Sequence, residues 1–142
     1  MQSVYRTRTE EETIQLGERL GAEWKTPQIV LLIGNLGAGK TTLAKGIAAG
    51  AGAARPEDVS SPTFPLIHEY GDPVKVYHID LYRLETRAEV ESLGLSEIFE
   101  KDALVLMEWA ERFPELLPKE RIEIRLRAID GEREIELLSK AS

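Results

Sequence analysis

The sequence predicts an α/β fold built on a mixed sheet with a parallel core, flanking helices and an antiparallel edge hairpin. Two short apolar runs, residues 29–33 and 103–107, have the length and composition of strands that are buried on both faces. Asp130-Gly131 lies between two alternating segments, which is a strong signal of an antiparallel hairpin. At 142 residues, we expect a single domain spanning residues 1–142 around one core.

The N-terminal part predicts a short strand over residues 4–7 and then a helix. Thr9 with Glu12 three positions later matches a capping box, in which each side chain satisfies a backbone N–H of the other residue. Thr26-Pro27 ends this helix, because proline cannot continue it. Small and apolar residues share one side of the helix: Ile14, Gly17, Leu20, Gly21 and Trp24.

The remaining elements follow from turn signals and apolar spacing. Residues 41–51 predict a helix after the first buried strand, and a loop rich in glycine and alanine follows it. Two strands are expected around the turn signal Gly71-Asp72-Pro73, and one short helix before the second buried strand. In order, the predicted strands are 64–70 and 74–80, the helix is 87–93, and the hairpin strands are 121–128 and 133–138.

The segment between the first buried strand and its helix is a phosphate-binding loop. Residues 34–41, GNLGAGKT, match the P-loop pattern G-x-x-x-x-G-K-T. Glycines in such a turn permit positive φ angles and a close approach of backbone N–H groups to one anion. Lys40 would supply a positive charge to the β- and γ-phosphates, and the Thr41 hydroxyl would bind Mg²⁺. The sequence therefore predicts a P-loop NTPase-like fold that binds a nucleoside triphosphate.

Two carboxylates are expected near this loop, because open α/β sheets bind ligands at the carboxyl ends of their strands. Glu108 follows the second buried strand, which is the Walker B arrangement of an acid that holds Mg²⁺ directly or through water. Asp80 ends its predicted strand in the same way. For each residue the alternative is an ordinary acid at a strand end, and the closer Mg²⁺ ligand of the two is left open.

Three other side chains have competing interpretations. His78 shares a strand face with Asp80 and is interpreted as a buried, hydrogen-bonded histidine rather than a base. Trp109 either stacks on a ligand or partner or packs at the strand end, and both remain open. Thr63 either senses Mg²⁺ and the γ-phosphate from a switch loop or belongs to a plain turn around Pro62.

Charge and hydropathy limit the classes of partner. The net charge of −7 disfavours direct binding of nucleic acid. The arginines at 121, 125 and 127, with Glu123 among them, alternate with apolar residues, and these charged residues are interpreted as one solvated face of the sheet. No stretch approaches the roughly 18 apolar residues of a membrane span, and residues 1–8 lack an apolar signal region. We therefore expect a cytoplasmic protein without a membrane partner.

Four motifs together resemble one family. They are GNLGAGKTT at 34–42, SPTF at 61–64, HIDLYR at 78–83 and EW at 108–109. In this order and spacing the chain resembles TsaE, formerly YjeE, the bacterial P-loop ATPase required for threonylcarbamoyladenosine (t6A) in tRNAs that read ANN codons. The resemblance covers essentially the whole chain. Asn35 departs from it, since the family usually has Asp at that variable position.

The resemblance implies an activity and partners. Proteins like TsaE bind ATP with Mg²⁺, hydrolyse it slowly and dock on the TsaB–TsaD pair, which attaches the threonylcarbamoyl group. Contact with tRNA would then be indirect, and the preference for ATP rests on the resemblance alone. The first helix is a candidate for the adenine contacts.

The resemblance also implies roles for individual residues, with Thr63 in the switch and Thr42 near the α-phosphate. The expected catalytic residues are Lys40, Asp80 and Glu108. The expected metal ligands are Thr41, Asp80 and Glu108. The candidates for partner docking are Tyr82, Arg83 and Trp109. The expected nucleotide contacts are Asn35, Leu36, Gly37, Ala38, Gly39, Lys40, Thr41 and Thr42.

Other functions remain as alternatives. A small-molecule P-loop kinase usually adds a lid and an acceptor site, for which 142 residues leave little space. A GTPase would need an N-K-x-D motif, which the sequence lacks. A nucleotide-dependent scaffold without hydrolysis differs only in whether Asp80 and Glu108 also position water. Fast phosphoryl transfer commonly uses an arginine finger, for which Arg83 is the nearest candidate, so slow turnover by the isolated chain is expected.

Overall fold

A single mixed sheet organises the fold in this computed structural model, which describes residues 2–60 and 66–140. Within those ranges the strands are β1 (Gln2–Thr7), β2 (Gln28–Ile33), β3 (Ile67–Tyr70), β4 (Val76–Asp80), β5 (Leu104–Glu108), β6 (Arg121–Ile129) and β7 (Glu132–Lys140). Their spatial order is β1-β7-β6-β2-β5-β4-β3. β2, β4, β5 and β6 pair in parallel, whereas β1, β3 and β7 are antiparallel to their neighbours. The predicted mixed α/β fold with a parallel core is confirmed.

Helices cover both faces of this sheet. The α-helices in the described ranges are α1 (Glu10–Glu23), α2 (Lys40–Gly50), α3 (Arg87–Glu91) and α4 (Leu95–Phe99). Leu20 of α1 and Ile47 of α2 belong to one apolar cluster, and Val90 of α3 and Leu95 of α4 belong to another. None of these helices has the length and apolar character that crossing a lipid bilayer requires.

The central strands contribute to both clusters, as their unbroken apolar runs predict. Val30 and Leu32 of β2 belong to the cluster with α1 and α2, whereas Leu31 belongs to the cluster with α3 and α4. β5 alternates in the same way, with Leu106 in the first cluster and Met107 in the second. Successive side chains of a strand point to opposite faces of the sheet. Because both faces of β2 and β5 are buried, these strands lie in the interior of the sheet, between the two helical layers.

Several predicted boundaries are wrong, and the turns explain why. β4 begins at Val76 rather than residue 74, because the turn before it is longer than predicted and closes with Lys75 N–H donating to Tyr70 O at 2.9 Å. β3 begins at Ile67, and residues 64–65 lie outside the described ranges. The helix predicted over 87–93 ends at Glu91, and α4 was not predicted.

The N-cap of α1 forms only half of the predicted capping box. Thr9 Oγ1 accepts from Glu12 N–H at 3.0 Å, but the Glu12 carboxylate accepts from Arg8 N–H at 2.7 Å, one residue before the cap. A complete capping box occurs instead at α3, between Thr86 and Glu89. The buried residues of α1 also differ from the predicted set by including Thr13 and Leu16: they are Thr13, Leu16, Gly17, Leu20 and Gly21.

The arginine-rich face of β6 is only partly solvated. Arg125 and Arg127 are exposed, as predicted. Glu123, which lies between Arg121 and Arg125 on the strand, is only 5% exposed. It accepts from Arg121 Nη2 at 2.9 Å and lies 3.6 Å from Arg125 Nη2. The prediction is therefore wrong for Glu123, whose charge is compensated by the two arginines rather than by water.

Glycines let α1 and α2 pack with their backbones in contact. A Cβ on Gly46 of α2 would lie 2.1 Å from Ile14 O, and one on Gly21 of α1 would lie 2.2 Å from Ile47 O. A Cβ on Gly50 would lie 2.0 Å from Glu18 O, and one on Gly17 would lie 2.6 Å from Leu43 O. Because the axes are so close, the first turn of α1 is held beside the first turn of α2, where the P-loop ends.

We expect Gly46→Ala to lower the free energy of unfolding by about 2 kcal/mol, because the added methyl overlaps the α1 backbone. This loss outweighs the gain in helix propensity. Urea denaturation measures the effect. Ala22→Gly is the matched control, since Ala22 is exposed on α1 and its substitution should cost only about 1 kcal/mol through propensity. A Gly46→Ala protein as stable as the parent would show that the two helices are free to separate.

Candidate nucleotide-binding site

The P-loop lies between β2 and α2, in the strand–loop–helix context that the motif requires. Gly37 has φ 81° and Gly39 has φ 103°, so both positions use the left-handed region that glycine tolerates. Gly34 serves a different purpose, because a Cβ there would lie 2.6 Å from Leu126 O of β6. Gly39 directly precedes α2, so the positive end of the helix dipole faces the loop.

Lys40 is a buried cation at the start of α2. Its side chain is 5% exposed, and its Nζ donates to Gly34 O at 2.8 Å. The same nitrogen lies 3.8 Å from the centroid of the Trp109 ring, within the range of a cation–π contact. Burial lowers the pKa of Lys40, and the carboxylates of Glu108, Glu111 and Asp80, in that order, oppose this shift.

Asp80 and Glu108 lie side by side at the carboxyl ends of β4 and β5. The parallel register pairs them directly, and the same register pairs Leu32 of β2 with Glu108. Their exposures are 8% and 3%. Burial is the largest cause of a raised pKa at Asp80, although the hydrogen bond from Tyr82 N–H to its Oδ1 at 2.9 Å acts in the opposite direction. The expected placement of both acids beside the P-loop is observed.

His78 is buried and hydrogen-bonded, as predicted. Its exposure is 0%, and its Nε2 lies 2.6 Å from Glu108 Oε2. Within the described part of the chain, its Nδ1 has no hydrogen-bond partner. Since the imidazole fixes one oxygen of the Glu108 carboxylate, the side chain of Glu108 keeps one orientation at the end of β5.

Trp109 and Tyr82 form an aromatic pair at the site. Their ring centroids are 5.0 Å apart with an interplanar angle of 52°. Trp109 has φ 64°, an unusual left-handed conformation for a bulky residue. Tyr82 is 48% exposed, and Leu36 of the P-loop is 69% exposed. Trp109 thus packs against both Lys40 and Tyr82, and whether its ring also contacts a ligand or partner stays a prediction.

One cavity of about 590 Å³ joins these groups. The predicted site residues that line it are Leu36, Gly37, Gly39, Lys40, Thr41, Thr42, Asp80, Tyr82, Arg83, Glu108 and Trp109. Asn35 and Ala38 belong to the loop but do not line the cavity, and Thr63 lies outside the described residues. The first helix is the candidate for the adenine contacts, which stay a prediction. Glu10 and Thr13 of its first turn line the cavity, together with Arg8 and the N-cap residue Thr9, which precede the helix.

The remaining wall residues were missed. Arg133 of β7 donates to Gly37 O at 3.4 Å, and Gly131 lies beside it at the hairpin turn. Glu111 was also missed; it does not line the cavity, but it is near enough to Lys40 to influence the pKa of that lysine. Within the described residues, its Oε1 is buried without a hydrogen-bond partner. No local motif identifies these residues, because their position depends on tertiary packing and on the hairpin register.

The oxygen donors that line the cavity suit Mg²⁺ bound together with phosphate and water, rather than a metal ion whose ligands all come from the protein. Among the described residues, no group of three or more His, Asp or Glu could hold a metal ion. Mg²⁺ is usually bound by one or two carboxylates together with waters and phosphate oxygens. Thr41, Asp80 and Glu108 all line the cavity, and they offer a hydroxyl and two carboxylates of that kind.

Comparisons with known proteins agree on one family. A family model described as threonylcarbamoyl adenosine biosynthesis protein TsaE matches residues 7–135. A Bacillus subtilis protein named tRNA threonylcarbamoyladenosine biosynthesis protein TsaE is 46% identical over 136 residues, covering 94% of this chain and 84% of that protein. A protein of the same name from Haemophilus influenzae is 40% identical over 115 residues, covering 80% and 72%. The crystal structure of Bacillus subtilis YdiB matches with a TM-score of 0.82 and 38% identity, covering 99% of this chain and 87% of that one.

We expect His78→Leu to lower the free energy of unfolding by about 2 kcal/mol, because Glu108 Oε2 would remain buried without its hydrogen-bond partner. Urea denaturation measures the loss. His68 is the matched control, because it faces His78 across the β3–β4 pair but is only half-buried and bonds the Tyr70 hydroxyl at 3.1 Å. His68→Leu should cost less than about 1 kcal/mol. Equal losses in the two variants would contradict a special role of the His78–Glu108 contact.

Proposed function

The chain belongs to the TsaE family, and from that premise we propose that it is a Mg²⁺-dependent ATPase that turns over slowly alone. Family membership implies a role in the biosynthesis of threonylcarbamoyladenosine in tRNA. The observation that carries the proposal is a cavity lined by the P-loop, including Lys40, and by the paired carboxylates of Asp80 and Glu108. The protein would act as an accessory factor in the cytoplasm, where tRNAs that read ANN codons are modified.

Phosphate binding follows from the P-loop and Lys40. The backbone N–H groups before α2 would bind phosphate oxygens. Lys40 Nζ would give up its hydrogen bond to Gly34 O and bind the β- and γ-phosphates instead. Because Lys40 is buried, its charge is screened less than that of a surface lysine. Thr42 would contact the nucleotide near the α-phosphate. Arg8, Thr9 and the first turn of α1 would then face the nucleoside.

Thr41, Asp80 and Glu108 would hold Mg²⁺. When bound, the ion neutralises charge that develops on the transferred phosphoryl group. His78 keeps the Glu108 carboxylate oriented, and Tyr82 N–H does the same for Asp80. These two acids would position the attacking water as well as the metal. Arg83, which lines the cavity, is the candidate for an arginine that stabilises the transition state.

The surface around the cavity supports a protein partner. Tyr82, Arg83 and Trp109 follow the two carboxylates, so a partner that contacts them would touch the segments adjoining the nucleotide site. The exposed side chains of Tyr82 and Leu36 offer apolar area at this rim. We propose the TsaB–TsaD pair as the partner. A net charge of −7 fits a protein that contacts tRNA only through that pair.

We expect the isolated chain to hydrolyse ATP slowly and the purified TsaB–TsaD pair to raise the rate. Lys40→Ala should lower both rates at least about 100-fold, because it removes a charge aimed at the transferred phosphate. Lys45→Ala on the same helix is the control, since Lys45 does not line the cavity. Phosphate release measures the rates. A fast rate in the isolated chain, or one that survives Lys40→Ala, would contradict the proposal.

Glu108→Gln separates hydrolysis from binding. We expect ATP hydrolysis to fall by about 100-fold or more, because the amide cannot bind metal or water as a carboxylate does. Binding of a fluorescent ATP analogue should persist, since the P-loop and Lys40 are unchanged. Unchanged hydrolysis would remove Glu108 from the catalytic role. An absence of hydrolysis in the parent would favour the scaffold, and transfer of the γ-phosphate to a small acceptor would favour the kinase.

A further inference from the structure

One guanidinium connects the two chain segments that follow the paired carboxylates. Arg112 Nη2 donates to Leu81 O in a short contact, to Leu84 O at 2.9 Å and to Tyr82 O at 3.2 Å. Its Nε donates to Trp109 O at 3.3 Å. All four acceptors are backbone carbonyls, so the contacts do not depend on the identity of the acceptor side chains.

The connected segments carry the groups that shape the site. Residues 81–84 follow Asp80, and within them Tyr82 N–H donates to Asp80 Oδ1 at 2.9 Å. Leu81 N–H donates to Glu108 O at 3.0 Å, so the same segment is also bonded to the end of β5. The orientation of the Asp80 carboxylate therefore depends on a backbone segment that Arg112 holds.

The conformation of Trp109 needs support from its surroundings. A left-handed φ is unfavourable for a residue with a bulky side chain, and such residues persist only where neighbouring contacts determine them. The bond from Arg112 Nε to Trp109 O closes the short turn that follows this residue. With the backbone so held, the indole lies over Lys40 Nζ and beside Tyr82.

Only arginine supplies this set of donors. Its planar guanidinium has five N–H groups in a rigid fork, whereas a lysine offers a compact charge on a flexible stem. Among the described residues, Arg112 forms no ion pair with a carboxylate, and it does not line the cavity. Its connection to the site is therefore indirect and passes through the backbone of both segments.

We propose that Arg112 is a positioning residue for the nucleotide site, which it serves by holding the segments after Asp80 and Glu108 in one arrangement. The nucleotide part of this inference rests on the proposed function. The part that concerns Trp109 does not, because the indole reports on its own surroundings whether or not a nucleotide binds.

The first test follows Trp109 in a Trp24→Phe background, where it is the remaining tryptophan. We expect Arg112→Met to shift its emission to longer wavelength and to increase its quenching by acrylamide, since the indole loses its fixed place over Lys40. Arg55→Met is the matched control, because Arg55 is exposed and pairs with Glu57 and Asp58 away from the cavity. Emission and quenching equal to those of the control would overturn the proposal.

The second test measures affinity for a fluorescent ADP analogue with Mg²⁺. We expect Arg112→Met to weaken binding about tenfold, which corresponds to about 1.4 kcal/mol. Arg112→Lys keeps the charge and should not restore affinity or the Trp109 signal, because one ammonium cannot reach carbonyls in both segments. Full rescue by lysine, or an unchanged affinity in Arg112→Met, would overturn the proposal.

The two measurements separate this inference from the proposed function. If the parent protein binds no nucleotide, the proposed function fails, while Trp109 quenching still decides the role of Arg112. If Arg112→Met does not fold, as judged by far-ultraviolet circular dichroism, Arg112→Lys carries both measurements. A normal Trp109 signal and normal affinity in that variant would then reject the requirement for the guanidinium.

Discussion

The parallel register of β2, β5 and β4 is the constraint on which the site depends. It pairs Asp80 with Glu108 and places both beside the start of the P-loop. Side chains alternate between the faces of a strand, so a slip of one residue would move each carboxylate to the opposite face. The apolar residues of β2 and β5 prevent that slip, because they fill clusters on both sides of the sheet. The alternation of side chains along β2 and β5 therefore fixes both the packing of the core and the position of the two carboxylates.

Buried charged side chains are concentrated at the carboxyl ends of these parallel strands. Lys40, Asp80 and Glu108 are each less than 10% exposed, and isolated charges at such depth are costly. The cost is reduced by specific contacts: Lys40 bonds Gly34 O and faces the Trp109 ring, and Glu108 contacts His78. Burial is the largest cause both of the lowered pKa of Lys40 and of the raised pKa of Asp80. These three side chains therefore have little contact with solvent, so their charges are screened less than charges on the protein surface.

Local sequence predicted those features whose cause is local. The P-loop, the two buried strands and the hairpin each have a motif or a period of their own, and Asp80 and Glu108 follow from their places at strand ends. The contribution of Arg133 could not be predicted, because it depends on where the hairpin crosses the P-loop. Glu123 was predicted to be solvated for a similar reason, since its ion pairs with Arg121 and Arg125 depend on how these side chains lie on the folded sheet. The four glycines of α1 and α2 are weak helix formers individually, and their function exists only in the packed pair.

The two walls of the cavity are held by different contacts. The first turns of α1 and α2 belong to a pair of helices whose backbones touch, whereas Tyr82, Arg83 and Trp109 belong to connections after strands, whose carbonyls accept from Arg112. A substitution in those connections can therefore alter the aromatic wall without changing the helix wall. An inhibitor that contacts only the helices would keep its contacts in such a variant, whereas one that reaches Tyr82 and Trp109 would lose them.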